Sequence, residues 1–145
     1  AVRAYDGVPY VWGGESAVGI DCSGLPRAAR RSAAVTLAWR NADPGLLRVA
    51  ARDWLVDVPA KGLLAGVGTA RVAAADRAGL LPKAVMTPGT LINTADGSHV
   101  MVVLDEDTLI EADPLPNKVI VVRVDDLTNP WMTTPVVAVR FTAPR

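Results

Sequence analysis

One cysteine, Cys22, and one histidine, His99, are all that this chain of 145 residues has of either type. A single cysteine excludes an internal disulfide, so the fold must stand on its core. One Cys and one His also fall short of the three or four soft ligands of a zinc site. No acidic run has calcium-loop spacing, so no metal centre is expected. Net charge is absent as well: 15 basic side chains balance 15 acidic ones, and nothing global draws the chain to nucleic acid or anionic lipid. Arg27, Arg30 and Arg31 form the one local basic bias, and their three- and four-residue spacing predicts a solvated helix face. No stretch approaches the roughly 18 apolar residues of a membrane span, and no charged-then-apolar leader, internal repeat or low-complexity segment is visible.

Half of the residues are hydrophobic and 21% are charged, the balance of one ordered domain spanning 1–145. The first half reads as helices. Asp21 is placed to cap a helix from about Cys22, with Pro26 tolerated in the first turn and the Ala-rich run continuing through Trp39. Asp43-Pro44 reads as N-cap and N1 of a second helix, whose apolar side is Leu46, Leu47, Val49, Ala50, Trp54 and Leu55. A third helix is predicted over Thr69 to Ala78, stopped by Gly79. Gly66-Val67-Gly68 lacks the preceding strand and third glycine of a dinucleotide loop, so no cofactor is expected there.

From Pro88 onward the pattern turns to strands: Thr90 to Asn93, Val100 to Leu104, Thr108 to Ala112, Lys118 to Val124 and Val136 to Phe141. N-terminal helices followed by an antiparallel meander give an α+β fold, with the helices on one side of the sheet.

The chemistry converges on Cys22 and His99. Cysteine attacks carbonyls as its thiolate, which a helix start favours through unpaired N–H groups and the helix dipole. The Cys22 N–H is also the first candidate for holding a tetrahedral oxyanion. His99 opens the strand Val100–Leu104, and hairpin register supplies its partner. A loop centred on Asp105 sets His99 opposite Glu111; one centred on Glu106 sets it opposite Asp113. Either carboxylate could accept the Nδ1–H bond and fix the imidazole tautomer. Out of context a lone cysteine is a small buried hydrophobe and a lone histidine a satisfied core residue. Tyr10 and Trp12 would then be packing aromatics.

The segment Gly7-Val8-Pro9-Tyr10-Val11-Trp12-Gly13-Gly14, followed by Asp21-Cys22-Ser23-Gly24-Leu25, resembles the NlpC/P60 family of papain-like cysteine peptidases. Pro88-Gly89-Thr90-Leu91 and His99-Val100 are similar to its later elements, and the family spacing puts the third polar residue at Glu111. The resemblance implies hydrolysis of peptidoglycan stem peptides, commonly between γ-D-glutamate and a diamino acid, without metal or cofactor. Cys22 would attack, His99 shuttle the proton and Glu111 orient His99. Tyr10, Asp21 and Ser23 would line the substrate side, with Asp21 and Tyr10 holding the peptide's free amine. Such a substrate implies an extracytoplasmic location, with action on recycled peptides in the cytoplasm or within a phage or secretion device as alternatives. A monomer is expected, though the chain offers no coiled-coil pattern or interface stripe and so leaves the oligomeric state open. The sequence departs from the family at Glu111, where His, Asn or Gln is commoner, and at Thr90, where Asp is favoured. Residues from about Asn41 to Lys83 look like an added helical segment. The same residues would serve a thiol amidase or acyltransferase with another substrate, and a wall-binding module could keep the fold without catalysis.

Overall fold

A computed structural model describes residues 1–142. A two-stranded ribbon, β1 (Glu15–Ser16) and β2 (Gly19–Ile20), precedes three helices: α1 (Gly24–Asn41), α2 (Pro44–Leu55) and α3 (Ala60–Leu64). The main sheet is antiparallel throughout. Its strands are β3 (Thr69–Ala75), β4 (Leu91–Thr94), β5 (Val100–Val103), β6 (Thr108–Asp113), β7 (Lys118–Arg123) and β8 (Val136–Phe141), in the order β3-β8-β4-β5-β6-β7. The α+β reading therefore holds, and the meander β4–β7 is the one its β-branched runs predict. The segment between β7 and β8 has to cross from one sheet edge back to β4.

Alternation divides the core into two layers. Val100, Val102, Ile110, Ala112 and Val119 face α1 and α3, meeting Leu25, Ala28, Ala60 and Leu63. Met101, Val103, Leu109 and Val122 face the other way, onto Ala78, Leu81, Met86 and Met132. The sheet is thus covered on both sides: by helices on one, and by the 78–86 segment and the β7–β8 crossover on the other. Within the helical layer α2 rests on α1 through Ala34, Val49 and Ala50. Asp43 caps α2 as expected, its side chain accepting from the Gly45 N–H at 2.8 Å with Pro44 at the first helical position.

Two expectations fail. Thr69–Ala75 is a strand, not the start of a third helix over Thr69 to Ala78, and pairs along β8 with an irregularity between Arg71 and Ala73. Its alanines favour helix locally, but the open edge of β8 offers a full ladder of backbone bonds, and that long-range pairing prevails. The added segment is therefore helical only as far as Leu64. The arginine cluster, for its part, is not a solvated face. Arg27 and Arg31 are buried, both paired with Glu15 of β1, while Arg27 also reaches Asp57 at 2.9 Å. Arg30 pairs with Asp53 at 3.2 Å and lies over the Phe141 ring. Acids distant in sequence converge on these arginines and allow their burial.

Gly14 and Gly24 join the ribbon to α1. A Cβ on Gly24 would collide with the Gly14 carbonyl oxygen, and one on Gly14 would come within 2.5 Å of the Gly19 carbonyl oxygen. Both neighbours are backbone and cannot swing aside. Gly24→Ala is expected to destabilise the fold by about 1–3 kcal/mol, read as a lowered urea midpoint at unchanged m-value.

Candidate active site

The site is assembled where the ribbon, the start of α1 and the mouth of β5 meet. Asp21 organises the first part. One carboxylate oxygen accepts from the Gly13 N–H at 2.8 Å; the other accepts from the Ser23 hydroxyl at 3.0 Å and the Gly24 N–H at 2.6 Å. Because the Asp21 side chain closes this turn, the helix begins two residues later than predicted. Ser23, not Asp21, is its N-cap, and Cys22 stands in the turn ahead of it. Cys22 is buried and free, and its backbone N–H donates to no group among the described residues. Ser23 and Asp21 are both buried and satisfy one another.

His99 and Glu111 form the second part. His99 Nε2 lies 2.6 Å from Glu111 Oε2, with the two side chains 2% and 0% exposed. The hairpin takes the register centred on Glu106: Val102 pairs with Ile110 and Val103 with Leu109. Continued along the strands, that register sets Asp113 opposite His99. The bond nevertheless goes to Glu111, the diagonal neighbour on the same face, whose longer side chain spans the offset. It is also made by Nε2, not by Nδ1 as expected, which leaves Nδ1 as the ring nitrogen for the thiol. Asp113 accepts instead from the Trp131 indole N–H at 3.3 Å and from the Leu115 N–H at 2.9 Å.

Two further residues complete the site and escape the sequence reading. Asn129 donates its side-chain amide to Glu111 Oε1 at 2.7 Å, so both oxygens of the buried carboxylate are engaged. Trp131 stacks on the His99 ring, centroids 4.2 Å apart and planes 18° from parallel. Both belong to the β7–β8 crossover, where Asn129 caps the short helical turn Pro130–Thr133 by accepting from the Trp131 N–H. Asn129-Pro130 carries the same N-cap and proline signal as Asp43-Pro44. The signal reveals a turn but not the strands it lies across.

Electrostatics binds the parts together. Burial alone would push the His99 pKa down, but hydrogen bonding to Cys22 and Glu111 and the charges of both raise it to about 9. Half-buried Tyr10 is pushed up to about 12, by burial first and then by Cys22, Asp21 and Asp113, so its phenol stays neutral and at the same locus. Among the described residues no cluster of three or more His, Cys, Asp or Glu could hold a metal ion. The arrangement can do acyl chemistry: a thiol, an imidazole whose far nitrogen is held by a carboxylate, and an unengaged backbone N–H beside the sulfur.

A Cys–His–carboxylate constellation at a helix start against an antiparallel sheet defines the class. The family follows from comparison: the sequence model of the NlpC/P60 family matches residues 7–141, and the chain belongs to that family. Two solved structures share the fold. An NlpC/P60 family protein from Bacillus cereus is 18% identical, with a TM-score of 0.58, over 99% of this chain and 38% of its own. The peptidoglycan hydrolase RipB from Mycobacterium tuberculosis is 23% identical, with a TM-score of 0.54, over 98% of this chain and 62% of its own. The chain thus spans less than two thirds of either structure. A search of curated proteins gives no match.

Two outcomes test this geometry. The His99 pKa is raised from 6.5 to about 9, so the stability it contributes is complete below 6.5 and disappears as pH climbs through 9. Imidazole NMR should therefore find His99 protonated at neutral pH, and Glu111→Gln should bring its midpoint down. Asn129→Ala leaves Glu111 Oε1 buried without a partner and should cost about 1–3 kcal/mol in urea unfolding.

Proposed function

We propose that the chain is a cysteine peptidase that cleaves peptidoglycan stem peptides at the bond between γ-D-glutamate and a diamino acid. The observation that carries this reading is the buried His99–Glu111 pair, coupled to the one cysteine at the α1 start, in a member of the NlpC/P60 family. The RipB neighbour, a peptidoglycan hydrolase, supports the substrate class. Such a substrate places the enzyme outside the cytoplasmic membrane.

In this mechanism the thiol proton rests on His99 and the Cys22 sulfur attacks the amide carbon. The tetrahedral oxyanion forms beside the Cys22 N–H, which has no other acceptor among the described residues. Collapse breaks the C–N bond, with His99 giving its proton to the leaving amine and an acyl-enzyme thioester remaining. Water then attacks the thioester, its proton passing to His99, and the carboxylate product leaves as the thiol is regenerated. Glu111 holds His99 through Nε2, so the ring turns neither away from the sulfur nor into the wrong tautomer. Tyr10 offers a neutral phenol to the peptide's free amine. Asp21 and Ser23 serve the substrate side by fixing the turn that presents Cys22, with the Asp21 charge drawing the amine.

Digestion of purified muropeptides, followed by mass spectrometry, tests the reading. Cleavage at the γ-D-glutamyl bond is expected, reduced at least about a thousandfold in Cys22→Ala and in His99→Ala. Cleavage of other amides with muropeptides untouched would shift the substrate class. Iodoacetamide labelling of Cys22 should be fast at neutral pH and slow in His99→Ala. Slow, histidine-independent labelling at every pH would remove catalysis and favour a wall-binding role.

A further inference from the structure

The apolar side predicted for α2 is divided by the fold. Val49 and Ala50 are buried against α1, while Leu47, Trp54 and Leu55 face outward. On α1, Val35 and Trp39 are exposed as well. Trp39 is 89% exposed, Leu55 83% and Trp54 77%; single exposed apolar side chains are ordinary, but here several share one hairpin. Val35 and Trp39 lie four residues apart on α1, and Leu47 and Trp54 seven apart on α2, so each pair forms a stripe along its helix. Val35, Trp39 and Leu47 line one open groove at the hairpin turn. Trp54 is held in place by the Arg31 guanidinium, 5.3 Å from its ring centre.

Charge around this face is predominantly basic although the whole chain is neutral. Arg40 and Arg48 are exposed, and neither makes an ion pair among the described residues, whereas Arg52 lies on the other side of α2, lining a separate cavity with Arg27, Arg30 and Val49. Of the hairpin's acids, Asp53 and Asp57 pair with Arg30 and Arg27, which leaves Asp43, the α2 cap, as the one acid lining the groove.

We propose that this outer face of the α1–α2 hairpin docks on an anionic lipid surface. Tryptophan and leucine enter the headgroup boundary, and arginines flanking them meet lipid phosphates. A second copy fits less well, since a two-fold contact would bring two faces carrying the unpaired Arg40 and Arg48 together. Trp39 stands near the far end of α1 from Cys22, about 25 Å along the helix. Trp54, beside Arg31, and Leu55 lie nearer the Cys22 end, so the face runs along the length of the hairpin.

Co-sedimentation with vesicles of phosphatidylcholine, alone or mixed with phosphatidylglycerol, tests the proposal without reference to the thiol site. Binding is expected only to the mixed vesicles, with tryptophan emission shifting to the blue and affinity falling as salt is added. Each of Arg40→Gln and Arg48→Gln should weaken it about fivefold, while Arg52→Gln, on the other side of α2, should change it little. The Trp39→Ser/Trp54→Ser variant should abolish it while muropeptide cleavage is unchanged. Equal binding to both vesicle types, or no binding together with concentration-dependent self-association in sedimentation velocity, would overturn it. The arginine variants keep the test decisive if the tryptophan variant folds poorly.

Discussion

Burying the Glu111 carboxylate beneath the sheet constrains everything around it. A charge with no exposed surface survives only if its lone pairs are answered. Here one oxygen takes the His99 ring and the other the Asn129 amide. That requirement dictates the protonation of His99, the path of the β7–β8 crossover and the placing of Trp131 over the imidazole. It also explains how an acid can stand at position 111 with no exposed surface. An acid can occupy that position because Asn129 meets its second oxygen.

The same logic, with the signs reversed, shapes the helical layer. Arg27 and Arg31 lie inside the molecule because Glu15, from the ribbon before α1, reaches both. The ribbon is in turn held to α1 by the Asp21 carboxylate and by the glycine contact of Gly14 with Gly24. One connected set of polar contacts therefore runs from the arginine network to the turn that presents Cys22. With the inner acids consumed, the hairpin's remaining arginines are left at the surface beside its exposed tryptophans.

Local signals were legible wherever chemistry acts within a few residues. Asp43-Pro44 marked the start of α2, β-branched runs marked β4 to β8, and the Asp105–Asp107 tip marked the hairpin. Signals that depend on distant partners misled. The alanines of Thr69–Ala75 read as helix until β8 was there to pair with. Arg27 and Arg31 read as solvated until Glu15 was brought to them.

The sequence by itself determined the cast and the class: one thiol, one imidazole, a carboxylate one hairpin away, and an Asp-Cys-Ser-Gly turn before a helix. These follow from residue identity and short spacing, which survive in one dimension. Only the tertiary structure decided between Glu111 and Asp113, chose Nε2 over Nδ1, and brought Asn129 and Trp131 across the sheet to the pair. The reason is physical. Side-chain reach across a twisted hairpin and the route of a crossover are set by packing among residues far apart in the chain.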